Sequence, residues 1–202
     1  MQRRQLLWSA WAATTVQATI AQAASQPTPA AVRTRIDSPL GAFVIEVKPE
    51  VAPLTVANYL ALVDGHHLAH ASVYRLVNLA NQAPDTAHKI EVVQWGMNLP
   101  DDQPGPFPAI PHESTRLTGL RHRDGTVSMA RGAPGTANGE FFICIGDQPA
   151  LDFGGLRNPD GQGFAAFGQV VQGMAVVRAL HARAGREQWL KPPIPLAGVQ
   201  RV

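Results

Sequence analysis

Short apolar runs with a two-residue repeat recur along the chain from residue 32 to its end. In one of them Phe43, Ile45 and Val47 occupy alternate positions. This alternation is typical of a strand that buries one face. We predict eight strands of this kind, at residues 32–36, 42–47, 72–76, 89–95, 126–129, 141–145, 165–171 and 196–202.

Two stretches have a helical repeat instead. After Pro53 the apolar residues fall at i, i+3, i+4 and i+7, and they are Val56, Tyr59, Leu60 and Val63. Thr55 near the start and Gly65 just past the end are residue types that cap helices. A second helix is predicted from Gly173 to about Ala182.

This succession of elements predicts a mainly β fold. Many strands, two helices and frequent turns favour a closed eight-stranded antiparallel β-barrel with two helices over its ends. The 17 prolines and 18 glycines agree with that number of turns. Residues 32–202 are long enough for one domain with its own core. The only cysteine, Cys144, excludes an internal disulfide, and its apolar neighbours favour a buried, unreactive thiol.

The first 24 residues have the pattern of a secretory signal peptide. Arg3 and Arg4 precede a moderately apolar stretch, residues 6–20, and small residues follow, with cleavage expected after Ala23 or Ala24. The paired arginines also suit the twin-arginine route, and the sequence leaves this route and the general secretory route equally open. Residues 25–31, rich in Pro, Thr and Ala, are a predicted linker. We therefore expect a periplasmic protein.

Removal of this segment changes the charge balance of the chain. The full chain has a net charge of +2, but without Arg3 and Arg4 its 17 basic residues become 15, equal to its 15 acidic residues. Without a basic stripe, nucleic acid is not an expected partner. We also expect no membrane contact after cleavage, and a monomer, because no long apolar stripe requires a partner.

Four segments together resemble the cyclophilin-type peptidyl-prolyl cis–trans isomerases, in particular the exported bacterial kind. The segments are VAPLTVANYLALV at 51–63, VYRLV at 73–77, GTVSMAR at 125–131 with NGEFFI at 138–143, and FAAFGQVVQGM at 164–174. Four motifs in the same order are far more specific than any single motif. The resemblance covers nearly all of residues 35–202 and implies that the substrates are proline-containing segments of unfolded or folding proteins.

The resemblance implies a site that needs no metal and no cofactor. Rotation of an X–Pro amide faces a barrier of about 18–20 kcal/mol, and a catalyst must bind the twisted amide better than either planar isomer. Arg75 matches the catalytic arginine of the family, whose cationic donors would stabilise the prolyl nitrogen as it gains a lone pair. Gln94 matches the active-site glutamine, which would hold Arg75 or donate to the substrate carbonyl.

The same resemblance implies the residues that bind the peptide. Phe142 would form the floor of a proline pocket and Leu151 a wall, while strand alternation would turn Phe141 into the core. The short edge segment of Ala130, Arg131 and Gly132 would pair with the peptide backbone.

Several positions depart from the family pattern. The residues before Gln94 are Glu91, Val92 and Val93, and residues 78–88 and 153–163 are insertions. Val92 would leave a thinner pocket wall, and Glu91 would weaken Arg75 by pairing with it. Arg131 replaces the edge asparagine of the family, and Phe164 replaces its pocket histidine.

Two functions compete on this evidence, and a third is disfavoured. The first is an isomerase that accelerates the slow X–Pro step in the folding of exported proteins. The second is a chaperone module that grips proline segments but turns them over poorly, because fold alone does not guarantee activity. A purely structural domain is disfavoured by the presence of Arg75, Gln94 and Phe142 together. His66, His67 and His70 form an HHxxH run, but no acidic third ligand is evident, so we expect no metal site.

Overall fold

One antiparallel sheet organises the computed structural model, which describes residues 31–100, 103 and 105–202. Nine strands form it in the order β8-β3-β4-β6-β5-β7-β2-β1-β9. The strands are β1 (Val32–Ser38), β2 (Gly41–Val47), β3 (Ser72–Val77), β4 (Val92–Gly96), β5 (Thr126–Met129), β6 (Glu140–Cys144), β7 (Ala165–Gln172), β8 (Trp189–Pro195) and β9 (Gly198–Arg201).

The closed eight-stranded barrel predicted from the sequence is wrong. The sheet has nine strands, and its two edge strands, β8 and β9, do not pair with each other in the described part of the chain. β8 pairs with β3 and β9 pairs with β1, so the sheet curls around its core but stays open. The eight predicted strands are all present, with ends that move by a few residues.

The ninth strand, β8, was missed because of its prolines. Pro192, Pro193 and Pro195 lie within it, and prolines in a row usually indicate a loop. A proline cannot donate to a neighbouring strand, and it is therefore tolerated chiefly on edge strands. β8 is such an edge, and it brings residues 188 and 189 beside β3.

The described residues contain three α-helices, one more than predicted: α1 (Pro53–Asp64), α2 (Thr115–Thr118) and α3 (Met174–His181). Thr55 does not cap α1. The carboxylate of Glu113 does so from 58 residues away, because it accepts hydrogen bonds from the backbone N–H groups of Leu54 (3.2 Å) and Thr55 (2.7 Å). Gly65 ends the helix as predicted. No helix among the described residues is long and apolar enough to cross a membrane.

The main core lies between α1, α3 and the concave face of the sheet. Tyr59 from α1 packs edge-on against Phe141 and Trp95, and all three are fully buried. The described residues from Ala31 to Val202 form one compact unit. The predicted signal peptide (1–24) lies outside the described residues, as does the predicted linker (25–31) apart from Ala31.

Candidate active site

Strand β6 separates the main core from a second, smaller apolar cluster. Phe141 belongs to the core, and Phe142, on the opposite face of the strand, belongs to the smaller cluster. This confirms the alternation predicted for the two rings. The other buried members of the smaller cluster are Val77, Ile90, Val92, Cys144 and Leu151, with Ala130 and Phe164 packed against it.

This cluster floors a cavity of about 220 Å³, called here the small cavity. Eight of the nine predicted site residues line it, and they are Arg75, Val92, Gln94, Ala130, Arg131, Phe142, Leu151 and Phe164. The ring of Phe164 meets that of Phe142 edge-on at 5.3 Å. The ninth, Gly132, lines a neighbouring cavity instead. The structure therefore brings the predicted residues together around one apolar depression.

A buried Ser-His-Asp chain supports the floor from behind. His122 stacks on Phe142 at 5.9 Å, its Nδ1 lies 2.8 Å from Asp152 Oδ1, and its Nε2 lies 3.0 Å from Ser128 Oγ. Burial lowers the pKa of His122, so the ring is neutral near pH 7. Ser128 is fully buried, and a substrate cannot reach its hydroxyl. The chain therefore positions the floor and does not form a hydrolytic triad.

Arg75 is fixed by two glutamines. It lies opposite Gln94 in the register of β3 and β4, and its Nη1 donates to Gln94 Oε1 at 3.0 Å. Its Nε and Nη2 donate to Gln188 Oε1 at 3.0 and 2.6 Å. The amide nitrogen of Gln188 is in turn bound to the carbonyl of Asn81, which keeps its oxygen turned toward Arg75. Two N–H groups of the guanidinium remain without a partner among the described residues.

The expectation that Glu91 pairs with Arg75 is wrong. Both partners of the guanidinium are neutral amides, because Glu91 is just outside β4 and the strand turns Gln94 to face Arg75. Burial, together with the nearby charge of Arg157, lowers the pKa of Arg75. The group still carries its charge at neutral pH because a guanidinium titrates far above that range. Arg75 is thus a cation beside an apolar floor, and no carboxylate among the described residues pairs with it.

Gln94 links Arg75 to a second cavity. Its amide nitrogen donates to the hydroxyl of Tyr74 at 2.7 Å, so the carbonyl oxygen must face Arg75. Burial raises the pKa of Tyr74, and this hydroxyl stays protonated. Tyr74 stacks on the exposed ring of Trp189, whose centroid lies 5.4 Å from the guanidinium carbon of Arg75.

The second cavity, called here the large cavity, has a volume of about 430 Å³ and lies on the Tyr74 side of Gln94. Glu140 lines it, and burial raises the pKa of this carboxyl to about 7. The backbone N–H of Asn98 donates to Glu140 Oε1 at 2.8 Å. Glu140 Oε2 has no partner with hydrogen-bond geometry in the described residues, although the Tyr74 hydroxyl is near enough to affect its pKa.

Ala130 and Arg131 lie between the two cavities and line both. The side chain of Arg131 turns away toward the insertion at 153–163. Its Nη1 and Nη2 donate to Asp160 at 2.8 and 3.0 Å, and its Nε donates to the carbonyl of Gly163 at 2.8 Å. This pairing lowers the pKa of Asp160 to about 2. Arg131 therefore fastens the insertion to the sheet, a role that the sequence did not indicate.

Tyr74, Gln188, Trp189, Glu140 and Arg157 were missed as site residues in the sequence analysis. Glu140 did carry a signal, since it is an acid at the head of the apolar run of β6. Tyr74 lies in the predicted strand 72–76 beside Arg75, but its contacts with Gln94 and Trp189 could not be read from the sequence. Gln188, Trp189 and Arg157 carried no signal, because each depends on a loop or an edge strand whose position the sequence does not reveal. Among the described residues no three His, Cys, Asp or Glu side chains are grouped as a metal site requires.

Comparisons with known proteins agree on one family. The family model described as cyclophilin type peptidyl-prolyl cis-trans isomerase matches residues 31–201. The chain is 32% identical to peptidyl-prolyl cis-trans isomerase cyp18 of Streptomyces antibioticus over 72% of this chain and 80% of the relative. It is 29% identical to peptidyl-prolyl cis-trans isomerase B of Escherichia coli, over 77% and 87% of the two chains.

Solved structures show the same fold. A cyclophilin type isomerase of Cryptosporidium parvum, determined in the presence of the dipeptide Ala-Pro, aligns with a TM-score of 0.65 at 18% identity. The alignment covers 83% of this chain and 97% of that one. A second structure of the same parasite protein aligns with a TM-score of 0.67 at 17% identity, over 85% and 98% of the two chains.

Proposed function

The chain belongs to the cyclophilin-type peptidyl-prolyl cis–trans isomerases, and we propose that it accelerates X–Pro isomerisation in proteins that have left the cytoplasm. The proline ring occupies the small cavity, on the floor formed by Phe142. Arg75 acts on the prolyl amide from the rim. The observation that carries this assignment is a guanidinium fixed by neutral partners beside an apolar depression.

The mechanism follows from the properties of a twisted amide. Twisting breaks the resonance that makes the amide planar, and the prolyl nitrogen regains a lone pair. An N–H group directed at that lone pair binds the twisted state better than the planar states, and it thereby lowers the barrier. Because Gln94 and Gln188 are neutral, they orient Arg75 without cancelling its charge. No bond to the substrate forms, so no metal or cofactor is needed.

The peptide backbone has a matching place beside Ala130. The segment 130–132 leaves β5 where that strand ends, and it lies between the small and large cavities. The Ala130 N–H donates to the carbonyl of Glu140 at 2.8 Å, and an extended peptide can pair with the remaining backbone groups of this segment while its proline fills the small cavity. The parasite isomerase that was determined in the presence of Ala-Pro is consistent with a proline ligand for this family.

Turnover of a short X–Pro peptide tests the assignment of Arg75. We expect Arg75→Ala to lower kcat/KM by about 100-fold or more, a loss typical of removing a preorganised transition-state donor. Gln172→Ala, at an exposed position near the end of β7, is the matched control and leaves kcat/KM unchanged. No turnover by the wild-type chain would favour the non-catalytic binding module, and full activity of Arg75→Ala would refute the mechanism.

The exported location rests on the N-terminal pattern, and it remains a proposal for the mature protein. Fractionation of cells that produce the full chain should recover the mature protein, shortened by 23 or 24 residues, in the periplasm. Replacing Arg3 and Arg4 by lysine separates the two routes, since loss of export indicates the twin-arginine route. Cytoplasmic protein with an intact N-terminus would refute export. Size-exclusion chromatography tests the proposed monomer.

A further inference from the structure

One part of the wall of the small cavity comes from the 153–163 insertion, and the 78–88 insertion holds it in place. Arg157, in the 153–163 insertion, lines the cavity and reaches across to the 78–88 insertion. Its Nη1 donates to Gln82 Oε1 and to the carbonyl of His88, both at 2.9 Å. The side chain of Gln82 is itself held by the backbone of Ile90. Arg157 is therefore a fixed part of the wall.

Three arginines line this one cavity, and their charges are balanced differently. Arg131 forms an ion pair with Asp160 through two hydrogen bonds. Arg75 and Arg157 donate only to amide and carbonyl oxygens, and neither forms an ion pair with a described carboxylate. The charge of Arg157 is one cause of the lowered pKa of Arg75, which places the two cations in electrostatic contact.

Two like charges at one partly desolvated cavity repel each other, and an anion between them relieves that repulsion. Arg157 also retains its Nε and Nη2 N–H groups, which have no partner among the described residues. The planar fork of a guanidinium matches the two oxygens of a carboxylate. The cavity thus offers an apolar floor for a ring and a cationic wall for an anion.

We infer that Arg157, in the positive field that it shares with Arg75, forms an anion subsite of the small cavity, which binds the carboxylate of an Asp or Glu close to the substrate proline. Arg75 itself stays directed at the prolyl amide. The inference rests on the proposed function, because it takes the small cavity as the proline site. It assigns a substrate class, namely proline segments with an acidic neighbour. The 153–163 insertion supplies the arginine that makes this selection, and the 78–88 insertion fixes its side chain.

End-blocked peptides that differ at one residue test the subsite. Glu, Gln or Lys is placed immediately before or immediately after the proline, and both Kd and kcat/KM are measured. For one of the two positions we expect the Glu peptide to bind about three- to tenfold more tightly than the Gln peptide. This ratio corresponds to the free energy that one charge-assisted hydrogen bond contributes. The Lys peptide binds most weakly, and added salt reduces the differences.

Variants separate the subsite from the general field of the protein. Arg157→Gln should bring the Glu/Gln ratio close to one, and Arg157→Lys should keep part of the preference. Arg183→Gln is the matched control, because it removes one positive charge from an exposed residue that forms no ion pair with a described carboxylate. Thermal unfolding of each variant shows whether it is folded. If Arg157→Gln does not fold, the partial loss of preference expected for Arg157→Lys still tests the subsite.

The outcomes are distinct. Equal binding of the Glu and Gln peptides at both positions by the wild-type chain overturns the subsite. An equal loss of preference in Arg157→Gln and Arg183→Gln also overturns it, because the preference would then come from net charge alone. Tighter binding of the Glu peptide without turnover contradicts the proposed function and leaves the subsite standing. Turnover without any preference for the Glu peptide supports the proposed function and overturns the subsite.

Discussion

The small and large cavities meet at Gln94, Ala130 and Arg131, yet the small cavity offers arginines around an aromatic floor and the large cavity offers a carboxyl group. The small cavity has the ring of Phe142 as its floor and, in its walls, two guanidiniums that pair with no carboxylate in the described part of the chain. The large cavity contains the carboxyl of Glu140, whose Oε2 atom is buried and whose pKa is raised by burial. Burial of an apolar ring supplies binding energy, and charge placed at fixed points orients what is bound. The contrast supports the proposal that the proline and its acidic neighbour are bound in the small cavity.

The sharpest way to break this comparison is to remove one ring from each cavity. Phe142→Leu keeps the site apolar but loses the flat floor, and we expect kcat/KM to fall by about 30-fold, in line with the burial energy of an aromatic side chain. Trp189→Leu, in the wall of the large cavity, should cost about threefold. Peptide turnover measures both, and a larger loss for Trp189→Leu would place the proline in the large cavity.

A smaller effect is expected from the residue that orients Arg75. Gln188→Ala removes two of the hydrogen bonds that fix the guanidinium, and kcat should fall by about tenfold while KM changes little. Gln188→Glu provides a second comparison, because a carboxylate there would cancel the charge of Arg75 and should be at least as damaging. Unchanged kcat in both variants would show that Arg75 needs no support from Gln188.

The buried carboxyl of the large cavity makes stability depend on pH. The pKa of Glu140 is about 7 in the folded chain against an ordinary value of 4.5, so between these values the folded state holds a proton that the unfolded state has lost. The free energy of unfolding should therefore fall as pH rises from about 4.5 to 7, by about 1–3 kcal/mol.

Denaturant unfolding at pH 5 and pH 8 measures this dependence. Glu140→Gln should reduce the difference between the two pH values, and Glu187→Gln, at an exposed position, should leave it unchanged. The assignment of a raised pKa to Glu140 would be contradicted if wild type and Glu140→Gln showed the same difference in the free energy of unfolding between pH 5 and pH 8.

The smallest expected effect concerns the third arginine. Asp160→Asn removes the counterion of Arg131 and adds a third unbalanced cation to the small cavity. We expect the preference for a Glu-containing peptide to rise by about twofold, because Asp160 is exposed and its field is screened by water. A fall in the preference would indicate that loosening the 153–163 insertion matters more than the added charge.

The sequence was sufficient for the parts of the molecule that depend on local pattern. Alternation along β6 separated Phe141 from Phe142, and eight strands were found from their apolar repeats. It was not sufficient where a residue acts across a long separation. Gln188 meets Arg75 across 113 residues, and Glu113 caps α1 across 58. The prolines of β8 concealed the ninth strand, and with it the open edge that carries Gln188 and Trp189 to the site.

The most direct test of the account separates binding from catalysis at Arg75. Magnetisation-exchange NMR on a peptide with one proline gives the cis–trans exchange rate on the enzyme, and titration in the same sample gives Kd. We expect Arg75→Ala to slow bound exchange by about 100-fold while Kd changes by less than about fivefold, because the arginine acts mainly on the twisted amide. The account would be contradicted if the bound peptide exchanged between cis and trans as fast on Arg75→Ala as on the wild type and only Kd were raised.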